Sequence, residues 1–306
     1  MSNVLPFQQN DYRITFLSGG YSAWRNHSNF WPIQGFDHYF GREDVESHFN
    51  IKSDNPWGVY DEYLFEYLKK QSLDAEKANT PLFSFVMTTN NHPPVKLPTS
   101  YKAPPLSMAD FNQEFDEEKI QMLEEFHYQT DLLGKFLTWL KHNELGEKII
   151  VVATGDHILK GFNNYSATNL KYLRYAVPAY FYVPEAYDKL KNVSPNITAS
   201  HTDLFSTIFE LALSDTKYYS FGKPLMENSI DKSFGWIDQG SYLFDNGIVD
   251  VKTNKEYHWQ DSASTILADT EHPISKDKSV IIAQNRQKTM LKQYMLIQDY
   301  ENVSVK

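Results

Sequence analysis

Lys148-Ile-Ile-Val-Val-Ala-Thr-Gly-Asp-His157 is the stretch on which the fold turns. After a charged residue, Ile149 to Ala153 run without a polar break. A short β-branched run of this kind suits a strand buried on both faces, as in a parallel sheet. The run ends in Thr154-Gly155-Asp156-His157. In open α/β sheets, ligands bind beyond the carboxyl ends of the strands. A glycine lets the chain turn sharply there, and a carboxylate beside an imidazole forms a natural pair of metal ligands. Taken alone, the same two residues read more readily as a helix-capping aspartate and a loop histidine.

Working outward, Tyr12 to Leu17 is strand-like and ends at Ser18-Gly19-Gly20, which puts Trp24 and Arg25 at a strand's C-terminal edge. Pro56-Trp57 opens an expected helix through Lys70, with Tyr60, Leu64, Tyr67 and Leu68 at helical spacing. Leu82 to Thr88 is a second buried-strand candidate, followed by Thr89-Asn90-Asn91-His92-Pro93-Pro94 and a proline-rich loop to Pro105. A long helix is expected from Phe111 to Asn143, and a polar loop from Asn163 to Leu170. Tyr175 to Val183 is strand-like, but Pro178 favours an edge or a bulge. Ser200 with Asp203 opens a helix through Leu213, aspartate replacing the usual glutamate of a capping box. Beyond Gly240, Tyr242-Leu-Phe, Asn246-Gly247 and Ile248 to Val251 read as a hairpin with a type I′ turn. A final helix runs from Ser279 to about Tyr300. The alternation of helices and strands predicts an α/β fold, a mostly parallel sheet flanked by helices, over residues 1–235. Residues 236–306 form a small antiparallel appendage of β-hairpin and helix.

Composition narrows the chemistry. The 306 residues are 41% hydrophobic, enough for a substantial core. A net charge of −10 without a Lys/Arg cluster argues against a nucleic-acid partner held by its phosphates. No apolar run approaches the roughly 20 residues of a membrane span, and Met1 to Phe7 lack the regions of a signal peptide. With no cysteine, any metal here must be held by histidine, carboxylate and hydroxyl.

Three strand ends thus carry polar clusters: Trp24-Arg25, His92, and Asp156-His157. If those strands are parallel neighbours, the clusters converge on one cleft. Arg25 offers a planar fork of donors for phosphate or sulfate. His92 is suited to donate to a substrate oxygen or to act as general acid. Asp156 and His157 are suited to hold a divalent cation as Lewis acid. Each also has an ordinary reading: Arg25 as a surface residue, His92 as part of a turn, Trp24 as core.

The ordered series resembles the sulfatase-like branch of the alkaline phosphatase superfamily, and most of all the lipoteichoic acid synthase and phosphoglycerol transferase group. It comprises Ser18-Gly19-Gly20 with Trp24-Arg25-Asn26, then Gly35 to Phe40, Trp57 to Phe65, and Phe83 to Pro93. It continues with Ala153 to His157, Val177-Pro178, His201 to Ile208, and Phe221 to Leu225. The resemblance implies a metal-dependent enzyme acting on a phosphate or sulfate ester, often of a lipid headgroup. It implies that Asp156 and His157 are ligands of one divalent ion, Mn²⁺ or Zn²⁺. It implies that His92 faces the substrate phosphate and that Trp24 and Arg25 line the headgroup pocket, although here these two are adjacent. Ser18 stands about where that group has a histidine, a departure that bears on phosphoglycerol specificity. His201 is expected to begin a helix rather than to bind metal.

The family also requires an acidic ligand at the end of the first sheet strand and a nucleophilic threonine, or modified cysteine or serine, at a helix N-terminus. The match begins after both. The expectation is therefore the distal part of the catalytic domain, inactive without an upstream polypeptide, from a parent at the inner or plasma membrane with an extracytoplasmic catalytic domain. The alternative is a non-catalytic protein of the same fold that binds an anionic headgroup or glycan.

Overall fold

The computed structural model describes residues 3–106, 115–159, 167–170, 172–188, 190, 193, 197–226, 234–238, 240–260 and 266–304. The chain divides into two compact units, residues 2–148 and 149–306.

The first unit opens with a short helix α1 (Leu5–Gln8) and is built on a three-stranded parallel sheet. β1 (Arg13–Ser18) lies between β2 (His38–Phe40) and β3 (Leu82–Met87) and runs parallel to both. Five of the six β1 residues are buried, so both faces of this strand are covered. On one face Phe16 stacks on Trp31 of α2 (His27–Ile33), with ring centroids 4.1 Å apart, and on Phe85 at 5.1 Å. On the other, Leu17 packs with Val45 of α3 (Arg42–Phe49), with Val59, and with Leu64 of α4 (Asp61–Lys77), all fully buried. Each such burial is worth roughly 1.5–3 kcal/mol. α5 (Glu117–Lys141) packs on α4 through Phe136 and Phe65, 5.7 Å apart. Of the helix expected from Phe111, residues 111–114 lie outside the described residues.

The helix expected from Pro56 begins instead at Asp61. Gly58 has φ +155°, which no helix contains, and a Cβ on it would lie 2.0 Å from the carbonyl oxygen of Gly19. The two backbones touch there, and the Val59 amide donates to Gly19 O at 2.9 Å.

In the second unit β4 (Val151–Thr154) pairs antiparallel with β5 (Ala179–Tyr182). This corrects the expectation of a parallel strand buried on both faces: β4 is half-buried, and Thr154 is exposed. The chain returns directly alongside β4 once past Pro178, which lacks an N–H and precedes β5. A β-branched run fits a half-buried pleat as well as a fully buried one, so it specifies the strand and not its partner. Asn163 to Ser166 of the expected loop lie outside the described residues, and Thr168–Leu170 form a 3₁₀ turn.

α6 (His201–Ala212) starts on the expected capping box, with the Ser200 amide donating to Asp203 Oδ2 at 2.7 Å. Beyond it lies a five-stranded antiparallel sheet in the order β10-β9-β8-β7-β6. The strands are β6 (Phe234–Asp238), β7 (Ser241–Phe244), β8 (Gly247–Asp250), β9 (Lys255–Trp259) and β10 (Leu267–Pro273). α7 (Lys276–Ser304) closes one face, Ile282 packing against Tyr242, Phe244 and Val249. The β7–β8 hairpin is present, but Phe244 pairs with Gly247, so the loop is Asp245-Asn246. Positive φ falls on Gly247 and not on Asn246, so the turn is not type I′.

Candidate functional site

β1 and β3 are parallel neighbours, Ser18 lying opposite Met87, so the segments that follow them emerge at the same edge of the sheet. Ser18 is fully buried, and its hydroxyl accepts the Gly20 amide at 3.1 Å. Trp24 and Arg25 follow in a 3₁₀ turn. Arg25 takes φ +46° and Asn26 φ +60°, a conformation uncommon for residues with a side chain. It folds the Arg25 guanidinium back over the indole, 5.0 Å from the ring centroid, with Trp24 half exposed at 51%. His27 meets Trp24 edge-on at 5.0 Å. Burial, then the Arg25 charge, hold the His27 imidazole below its usual range. Among the described residues Arg25 has no carboxylate partner.

His92 belongs to the turn after β3. Its ring lies against that of Trp57, centroids 3.9 Å apart and planes at 53°, and its Nδ1 is 2.8 Å from the carbonyl oxygen of Pro93. A carbonyl only accepts, so Nδ1 carries a proton, and in the neutral ring the lone pair is then on Nε2. Sequence reasoning did not find Trp57 as the wall behind His92. The signal for it was Gly58, whose close approach to Gly19 brings that segment to the end of β1.

Asp156 and His157 sit together after β4. Asp156 Oδ1 accepts the His157 amide at 2.9 Å, and Asp156 Oδ2 is 3.6 Å from His157 Nε2. His157 Nδ1 donates to the Ile158 carbonyl at 2.6 Å, so in the neutral ring the lone pair is on Nε2. Two ligands of one tetrahedral ion at bond lengths near 2.1 Å stand roughly 3.4 Å apart. The pair is therefore spaced to share a cation, and the Nδ1–H···O bond is the kind that orients a ligating imidazole. Both side chains are open to solvent. Among the described residues no group of three or more histidines and carboxylates is close enough to complete a coordination shell. What fits is a two-ligand share of a metal site. His201, at the start of α6, donates from Nε2 to the Gly155 carbonyl at 2.8 Å and steadies the turn that presents Asp156.

The Sulfatase family model matches residues 5–214. The chain belongs to the Sulfatase family. It is 22% identical over 265 residues to the lipoteichoic acid synthase-like protein YvgJ of Bacillus subtilis, a match covering 77% of this chain. The chain spans only 38% of that relative's length. The crystal structure of the lipoteichoic acid synthase LtaP from Listeria monocytogenes superposes with a TM-score of 0.69 at 18% identity, covering 96% of this chain and 72% of LtaP. A protein of the alkaline phosphatase superfamily from Vibrio parahaemolyticus superposes with a TM-score of 0.66 at 20% identity, covering 92% of this chain and 64% of its own. The fold of this Sulfatase family member is thus alkaline phosphatase-like, with an antiparallel C-terminal sheet. Members of the superfamily generally use a divalent metal. Among the described residues no helix is long and apolar enough to cross a membrane.

Proposed function

We propose that this chain is the distal part of a metal-dependent phospho- or sulfo-ester transferase or hydrolase, acting on a phosphoglycerol-type or other lipid headgroup ester. The observation that carries the reading is the Asp156–His157 pair, whose Nε2 and Oδ2 stand 3.6 Å apart with the Nδ1 proton held by Ile158. These two residues would hold the divalent ion, Mn²⁺ or Zn²⁺, which when bound supplies Lewis-acid stabilisation of charge on the ester oxygens. Arg25 binds the anionic group through its fork of donors, and the half-exposed Trp24 walls the headgroup. His92, anchored at Nδ1, acts as general acid in its doubly protonated form, giving the Nε2 proton to the leaving oxygen.

The reading assigns the nucleophilic threonine and a further carboxylate ligand to polypeptide outside this sequence, in a parent held at a membrane with its catalytic domain on the extracytoplasmic side. It keeps residues 1–235 as the catalytic-type domain and 236–306 as its appendage. The test joins an upstream segment bearing that threonine and assays a phosphodiester with Mn²⁺ or Zn²⁺. Turnover is expected, and it disappears in Asp156→Ala and His157→Ala. Turnover unchanged in those variants would sink the assignment.

The Arg25–Trp24 pair favours a second reading, a metal-independent binder of anionic headgroups or glycans. Calorimetry of this chain with glycerol phosphate separates the two. Undiminished binding without metal, together with no turnover in the joined protein, selects the binder.

A further inference from the structure

Behind the His92 turn lies a layer of buried polar groups that the proposed chemistry does not use. Asp61, the first residue of α4, is fully buried. An acidic residue in a first helical turn ordinarily serves its own helix amides or faces water. The Asp61 carboxylate turns instead to the end of β3: Oδ1 accepts the Thr89 amide at 3.0 Å and Oδ2 the Asn90 amide at 3.2 Å. In return the Asn90 side-chain oxygen accepts the Asp61 amide at 2.8 Å, standing in for the cap that Tyr60 does not provide. Gln129 of α5 reaches the same place, its Nε2 donating to Thr88 Oγ1 at 2.6 Å, with the Asn90 carbonyl and Asp61 Oδ2 each at 3.4 Å. One turn earlier on α5, the carboxyl of Glu125 is buried under the same loop. The Asn90 side chain and the Asn91 and Lys96 amides face it, although neither oxygen closes a hydrogen bond among the described residues.

These contacts fix the backbone two and three residues before His92. The position of the imidazole against Trp57, and the Nδ1 bond to Pro93, both depend on where that backbone ends. We infer that Asp61 is the positioning residue for His92, setting both the placement of its ring and the tautomer in which it is presented. The inference rests on the proposed role of His92 for its functional meaning.

The experiment is nitrogen-detected NMR of the histidines in the whole chain, with His92 assigned from a His92→Gln variant. In the parent protein His92 shows a single Nδ1–H tautomer and ring protons shifted by the Trp57 face. In Asp61→Asn both signatures are expected to be lost, while His27 and His48 of the same unit keep theirs. A folded Asp61→Asn protein with an unchanged His92 overturns the inference. If that variant does not fold, Asp61→Glu decides: it keeps the charge but displaces the carboxylate from the Thr89 and Asn90 amides, and an unchanged His92 there overturns the inference equally. Added glycerol phosphate separates the two levels. If it leaves the parent's His92 signals unmoved, the ester-facing role falls, while the positioning result stands on the spectra without it.

Discussion

β1 and β4 begin from the same kind of sequence, a short apolar run closed by glycine and a polar cluster, and they reach different surroundings. β1 is enclosed on both faces by Phe16, Trp31 and Phe85 on one side and Leu17, Val45 and Leu64 on the other. β4 has one antiparallel partner and half-buried side chains, and its last residue is exposed. The polar turns at the two sheets differ in the same sense, the His92 turn following β3, the parallel neighbour of β1. Buried carboxyl, amide and carboxamide groups hold the His92 turn, whereas Asp156 and His157 are held by their own local bonds and one bond from His201 to Gly155. A hydrophobic run therefore specifies a strand, and the enclosure of that strand depends on residues distant in sequence.

The largest expected break in this comparison is in stability. Phe16→Ala is expected to cost about 3–5 kcal/mol, and Val152→Ala in β4 about 1 kcal/mol, read as shifts in urea unfolding free energy. Equal losses would mean that β4 is as enclosed as β1.

The next concerns acidity in the first unit. Burial, then interaction with Asp61, raises the Glu125 carboxyl to about 7 despite nearby amides, and burial raises Asp61 to about 6. A carboxyl whose pKa is higher folded than unfolded holds its proton better in the folded chain. Its contribution to stability is present below its ordinary range near pH 4.5 and is lost as pH rises through about 7. Unfolding midpoints of the parent protein should therefore fall between pH 5 and pH 8 by an equivalent on the order of 3 kcal/mol. Glu125→Gln should flatten that slope, and an unflattened slope would remove Glu125 as its source.

A smaller effect tests the exposed cluster. Asp156→Ala should weaken Mn²⁺ or Zn²⁺ binding by about tenfold or more in calorimetry, while Arg25→Ala leaves metal affinity unchanged. Equal affinity in both variants would place the ion elsewhere. The smallest is Thr154→Val. It removes the hydrogen bond from the Thr154 hydroxyl to the Pro178 carbonyl, 2.9 Å long at an exposed strand end, and should cost about 0.5–1 kcal/mol in the same unfolding assay. A loss comparable to that of Phe16→Ala would show β4 to be more enclosed than its exposure indicates.

Much of the architecture was legible because its signals are local. The run from Tyr12 to Leu17, the capping box at Ser200 and Asp203, and the hairpin beyond Gly240 each name their element within a few residues. Residues 27–49 were not legible, since α2 holds Pro32 and follows left-handed Asn26, while β2 is only three residues long. Pro56 sent the start of α4 astray because its signal as a helix opener is local, and the contact that forbids helix at Gly58 comes from Gly19. The candidate residues themselves were readable as residue types at strand ends. Their supports were not: Asp61, Thr89, Asn90, Glu125 and Gln129 come together from three elements, and no spacing along the chain announces it.

The contact between Gly19 and Gly58 carries a consequence for anyone ranking positions by tolerance. A single methyl group at position 58 would overlap a main-chain oxygen at 2.0 Å, so almost every replacement should be rejected. In a saturation library, that column would look as intolerant as a reacting group. It would do so for want of space alone, and intolerance at position 58 is therefore evidence of a welded backbone and not of chemistry.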